Sequence, residues 1–172
     1  AGGHKMLTIQ EVVEKSSNIG VSKLVHRFFG QNANTSQRYV DYLESMHLTK
    51  SLKFEIKGSA SPIVKKVKDW SPTTLPWMSI GYETQMSPLQ ILTLYSGVAN
   101  KGVLLRPILV KRVQNSNEII IENKVDILNP KMCRDSTLEK LQACLEGVVQ
   151  RGTAKGTAVS YTHLTLPTTP YV

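Results

Sequence analysis

Acidic residues are in short supply: 13 aspartates and glutamates face 21 lysines and arginines, a formal net charge of +8. An excess of that size suits an anionic partner such as nucleic acid, a lipid head-group surface or an acidic wall polymer. The arginines are scattered, however, only Lys65, Lys66 and Lys68 cluster, and no aromatics interleave with a basic run to make a stacking groove. Nucleic-acid binding is therefore not expected. Cysteine is nearly absent too: Cys133 and Cys144 lack the paired spacing of a zinc site and the C-x-x-C of a redox motif. The histidines, His4, His26, His47 and His163, stand far apart, so neither a metal nor a cofactor is expected. No run of about 18 apolar residues is present to cross a bilayer, and the start, Ala1 to Met6, has neither an initiator Met nor an apolar signal core. The expectation is the inside of a longer protein.

What is there reads as one packed domain, since 41% of the 172 residues are hydrophobic. Thr8-Ile9-Gln10-Glu11 is a capping box, which predicts a helix with Ile9, Val12 and Val13 on its apolar stripe and Ser16 on the same inward side. A second helix is predicted from about Ile19 to Phe29, with Val21, Leu24, Val25 and Phe28 at core spacing and Gly30 as a left-handed stop. A third runs from about Ser36 to Met46. From Leu48 to Trp77 the chain reads as mostly loop with one or two small strands, Lys53 to Lys57 among them.

Ser87-Pro88-Leu89-Gln90 combines an N-cap Ser, a Pro at the first helical position and a capping-box Gln. The helix it starts is apolar nearly all round (Leu89, Ile91, Leu92, Leu94, Tyr95, Val98), which predicts burial by several elements, and Asn100-Lys101-Gly102 ends it. Strands follow at about Val103 to Leu105, Ile108 to Val113 and Glu118 to Ile121, the last two forming a hairpin across Gln114-Asn115-Ser116-Asn117. Ser136-Thr137-Leu138-Glu139 is a further capping box, with Leu138, Leu141, Leu145, Val148 and Val149 as the buried face of its helix and Gly152 as the stop. Cys144 lies near that face and reads as a small buried hydrophobe.

Composition breaks at the end. Residues 159–172 contain no Lys, Arg, Asp or Glu. Val159 to Thr168 resembles the in-frame translation of a transposon-end adapter used in shotgun DNA library preparation, so the chain divides into a domain piece, 1–158, and a non-native tail, 159–172. A native Thr/Pro-rich terminus is the alternative reading of the same composition.

Taken alone, Lys15-Ser16-Ser17-Asn18 between two helices carries little, because a serine at a helix end and an Asn capping the next helix are common. In context, Lys15 to Leu24 resembles the region of the second active-site motif, S-x-N, in the transpeptidase domain of class B penicillin-binding proteins. Leu75 to Glu83, Ser87 to Gln90 and Val98 to Gly102 are similar to the core helix of that family and its approach. Gly147 to Lys155 resembles the segment leading into the strand that bears the third motif, K-T-G. The resemblance covers Ala1 to about Lys155 in the family's order, and its Gly81-Tyr82-Glu83 version is closer to division-type than to elongation-type enzymes.

The resemblance implies an α/β (α+β) fold of the β-lactamase/transpeptidase type, an antiparallel sheet packed by helices, with mostly the helical part in this chain. It also implies a peptidoglycan D,D-transpeptidase working through a serine acyl-enzyme. Ser16 is then the hydroxyl that relays a proton between nucleophile and leaving amine. Asn18 holds the catalytic lysine and the amide of the donor stem peptide, and Ser17 contributes packing or a cap. Implied partners are the stem peptide, lipid-linked or on nascent glycan, β-lactam antibiotics, a glycan polymerase and division proteins, with an anchor in the inner membrane and a periplasmic site. Two departures stand out. None of the fifteen residues before Ser16 is a serine, so the S-x-x-K nucleophile motif is missing, and Lys155-Gly156-Thr157 does not match K-T-G. The chain alone is accordingly expected to be inactive. Trp77, Met78 and Tyr82 read as core packing and Glu83 as a solvated acid. Rival readings are a β-lactam or stem-peptide sensor or dead paralogue with the same fold, and a basic non-enzymatic adaptor whose binding added salt would abolish.

Overall fold

A computed structural model of the chain describes residues 6–55 and 60–156. The tail at 159–172, with its boundary, lies outside the described residues. Six helices carry most of the structure: α1 (Ile9–Glu14), α2 (Asn18–Phe29), α3 (Ala33–Ser45), α4 (Thr74–Met78), α5 (Pro88–Ala99) and α6 (Asp135–Gln150). Six short strands accompany them: β1 (Ile63–Val64), β2 (Thr84–Gln85), β3 (Leu104–Leu105), β4 (Arg112–Gln114), β5 (Ile119–Glu122) and β6 (Ile127–Asn129). Pairing is antiparallel throughout, as expected. Among the described residues it forms three separate two-stranded ladders, β1–β2, β3–β6 and β4–β5, rather than one sheet. The β4–β5 hairpin forms, with Arg112 opposite Glu122 and Val113 opposite Ile121, but its first strand is shorter and later than expected: residues 108–111 are not strand and Gln114, read as turn, is its last residue. Strand β6, which pairs with β3 across a bulge, was not anticipated, since Ile127-Leu128-Asn129 is too short to show an alternating pattern.

The buried apolar side chains are Val12, Leu48, Leu52, Leu75, Met78, Val98, Leu138 and Leu104, the last of them completely buried. Aromatic rings join α2 to α3, with Phe29 edge-on to Tyr39 and Tyr42 at centroid distances of 5.5 and 5.9 Å. Phe29 thus does the work expected of Phe28, whose side chain faces solvent. Gly30 ends α2 at φ −94°, not in the left-handed region, and a Cβ there would collide with the ring and carbonyl of His26.

Helix α5 reverses the expectation for a core helix. Its capping box forms as read, Gln90 Oε1 accepting from the Ser87 amide at 2.9 Å. The face it buries, however, is Gln90, Thr93, Gly97 and Val98, while Leu92 is 62% exposed and Tyr95 50%. The reason lies in two tertiary demands. The Gln90 amide donates to the carbonyls of His47 and Lys50 at 3.3 and 3.2 Å, tying down the chain reversal after α3. Gly97 meanwhile admits Leu104 and the Met132 sulfur so closely that a Cβ there would push both side chains aside. Close approach and a satisfied buried amide outweigh the apolar count of the other face.

Helix α6 begins one residue before its capping box, with Arg134 at the N-cap and no side-chain cap, so the Ser136 box does not form. Leu138 is buried, Leu141 is exposed, and Leu145, Val148 and Val149 are intermediate. Cys133 and Cys144 are both free and half-buried.

Candidate active site

The site is built on the turn between α1 and α2. The capping box at the start of α1 is complete: the Thr8 amide donates to Glu11 Oε2 at 2.8 Å and the Glu11 amide to Thr8 Oγ1 at 3.2 Å. Six residues later the helix stops. The Ser16 amide donates to the Val13 carbonyl at 3.0 Å and the Ser17 amide to Val12 at 2.9 Å, the paired bonds of a Schellman ending. Its pivot, Ser16, has φ +50°. That left-handed position usually takes glycine, and a side chain there costs about 1–2 kcal/mol. It also takes Ser16 off the helical period, so the hydroxyl is exposed and not on the inward stripe; Ile9 is exposed as well, and Val12 carries the contact.

Ser17 caps α2, accepting from the Gly20 amide at 3.2 Å. The cap is therefore Ser17, and Asn18 is the first helical residue, exposed, its side chain uncommitted among the described residues. Ser16 and Asn18 flank the cap with both polar ends open to solvent. An open cavity of about 280 Å³ adjoins Asn18, walled by Ile19, Ser22 and Lys23 from α2 and by Pro76, Trp77 and Ile80 from α4 and its exit. One hydroxyl joins the two walls, Ser22 Oγ donating to the Pro76 carbonyl at 3.2 Å, and within the α4 wall Ser79 Oγ donates to the same carbonyl at 2.6 Å.

Met78 is buried, as expected, but Trp77 and Tyr82 are not. They stand half-exposed as an edge-to-face pair with centroids 4.9 Å apart. No periodicity signals this, because α4 is a single turn too short to show a face. Glu83 is at the surface, as expected, but tied. At φ +54° its carboxylate accepts from Lys65 Nζ and from the fully buried Thr74 hydroxyl, both at 3.0 Å. The Lys65 hydrogen bond, followed by that of Thr74, holds its carboxyl below the ordinary glutamate value against the cost of desolvation. Sequence reasoning also passed over Glu14, buried at the end of α1; a glutamate in a helix carries no local sign of burial. Among the described residues no group of three or more His, Cys, Asp or Glu side chains could hold a metal.

Residues 1–166 match the family described as penicillin binding protein transpeptidase domain. The chain is 31% identical over 107 residues to the peptidoglycan D,D-transpeptidase FtsI of Escherichia coli strain K12, covering 62% of this chain and 17% of that protein. It is 28% identical over 145 residues to the penicillin-binding protein PbpB of Mycobacterium tuberculosis, 84% of this chain and 20% of that one. In three dimensions it is similar to the crystal structure of penicillin binding protein 3 from Mycobacterium tuberculosis complexed with aztreonam. That match has a TM-score of 0.71 at 27% identity and covers 86% of this chain and 32% of the other. The chain thus spans about a fifth of the curated relatives.

Proposed function

From the premise that the chain belongs to the family of penicillin-binding protein transpeptidase domains, we propose that it is part of a division-type peptidoglycan D,D-transpeptidase and that Ser16 and Asn18 are two of its catalytic residues. The observation that supports the reading is a serine in the left-handed conformation at the first position of the family's S-x-N motif. Glycine would suit that backbone better, so the hydroxyl is retained at a cost, which is the pattern of strain at a functional site.

The chemistry is acyl transfer. A serine Oγ from an S-x-x-K motif, in the longer protein upstream of this chain, attacks a carbonyl of the donor stem peptide. The C–N bond to the leaving residue breaks, and the proton released by the nucleophile reaches the departing amine. Ser16 relays that proton and Asn18 fixes the donor amide for attack. An acceptor amine then attacks the acyl-enzyme ester, gives up its proton and frees the nucleophile with the cross-link made. A β-lactam enters by the same first step and stays as the ester. The domain piece is 1–158 and the tail 159–172 is foreign to it. In the longer protein the domain works at the periplasmic face of the inner membrane beside a glycan polymerase and division proteins. Among the described residues no helix is long and apolar enough to cross a membrane.

Labelling with a fluorescent penicillin tests this. The chain by itself forms no covalent adduct, and the complete protein does. There, Ser16→Ala slows acylation or acyl transfer by about 10²–10⁴-fold. Labelling and cross-linking at the wild-type rate by Ser16→Ala would overturn the assignment, whereas labelling without any cross-linking by the wild-type protein points to the sensor reading.

A further inference from the structure

Glu14 is 5% exposed, yet it carries a charge and sits in the last turn of α1, the end where the helix dipole disfavours a negative side chain. Burial and position both count against it, so an apolar residue would serve stability better. What holds it is a clasp from the far end of the chain. Its carboxylate accepts from Arg151 Nη2 at 2.6 Å and from Gln10 Nε2 at 2.8 Å. Its backbone carbonyl accepts from the Thr153 amide at 3.1 Å. Gly147 and Gly152 leave the room, since a Cβ on the first would collide with the Glu14 carboxylate and on the second with its carbonyl. The end of α1 is thus gripped by side chain and main chain at once, two residues before Ser16.

We infer that Glu14 and Arg151 are positioning residues that hold Ser16 in its left-handed turn. The inference rests on the reading of Ser16 as the relay hydroxyl. A non-glycine residue at positive φ persists only where its surroundings over-determine it, and the turn's own two hydrogen bonds run back to Val12 and Val13, on the helix that the clasp anchors. The charges facing the clasp are few. Arg151 lowers the Glu14 carboxyl most, Gln10 next, and Glu11 opposes them; Glu146 bears on Arg151.

The test has two arms. In the 172-residue chain, Glu14→Ala should speed hydrogen exchange at the Ser16 and Ser17 amides by about tenfold or more and abolish the left-handed scalar coupling of Ser16, with α3 amides unchanged. Arg151→Lys, which keeps the charge but not the guanidinium fork, should fall between wild type and Glu14→Ala, and carries the comparison alone if Glu14→Ala does not fold. In the complete protein the same variants should slow penicillin acylation by about 10–100-fold, the effect of displacing a catalytic group by an ångström or so. A Ser16 coupling and exchange rate that stay at wild type while the urea midpoint falls would overturn the inference. So would a loosened turn that acylates normally in a protein where Ser16→Ala is slow. If Ser16→Ala is itself normal, it is the site assignment that fails.

Discussion

Where α1 meets α6 a charged side chain is buried and paired; along α5 and the β4–β5 hairpin, isoleucines, a leucine and a tyrosine face solvent. Ile119, Ile120 and Ile121 are all more than half exposed, and every residue of both hairpin strands is classed with the surface. Hydropathy alone would have placed these two regions the other way round. The α1–α6 contact is closed by geometry, with glycines admitting the backbone and hydrogen bonds satisfying the acid. Among the described residues no buried side-chain nitrogen or oxygen lacks a partner. Among the described residues the apolar faces of α5 and the hairpin meet no such complement and remain a large exposed hydrophobic surface.

The contrast can be broken most forcefully at Gly152. Gly152→Ala drives a Cβ into the Glu14 backbone, and since backbone cannot swing aside, the expected loss is about 2–3 kcal/mol in urea denaturation. A loss under about 0.5 kcal/mol would mean the two segments are not in contact. Next comes the cap between the motif residues: Ser17→Ala should cost about 1 kcal/mol, and Asn18→Ala, which caps nothing, much less. The reverse order would return the cap to Asn18. Ser16→Gly should leave stability unchanged or raise it by up to about 1 kcal/mol, because glycine accepts positive φ without strain.

A smaller signature is acid sensitivity. Glu14 and Glu83 both have carboxyls below the ordinary glutamate value, held there first by Arg151 and Lys65 respectively. A depressed folded pKa contributes stability that is complete above the free-glutamate value and is lost as pH falls through the lowered one. Melting temperature should therefore drop below about pH 4.5, and Glu14→Gln with Glu83→Gln should flatten that limb, leaving neutral-pH behaviour to show the hydrogen-bond loss alone. Least of all in stability, Ile120→Thr should stay within about 0.5 kcal/mol of wild type, yet reduce self-association and dye binding by exposed apolar surface. If it destabilises like a core change, the hairpin is covered in solution and the contrast disappears.

Two of the three capping boxes read from the sequence, at Thr8 and Ser87, formed with the partners expected; they are satisfied within four residues and need nothing from elsewhere. The third failed because α6 starts two residues earlier than that box requires, at Asp135 with Arg134 as its N-cap, which places Ser136 inside the helix. Ser16 and Asn18 were legible as letters, but their conformation was not. That the cap falls on Ser17 and leaves Asn18 open depends on one dihedral angle at Ser16. Trp77 and Tyr82 were misplaced because burial was inferred from size, and a one-turn helix offers no second turn to cover them.

The sequence by itself determined the starts of α1 and α5 and the turn of the β4–β5 hairpin, because each is written in neighbouring residues whose hydrogen bonds close locally. Only the tertiary structure decided which face each helix buries and which backbone conformation Ser16 adopts. Glu14 and Arg151 lie 137 residues apart, and α5 turns Gln90 inward only because the carbonyls of His47 and Lys50 wait there. Glu14 and Gln90 each add to a local partner a distant one that no local pattern names.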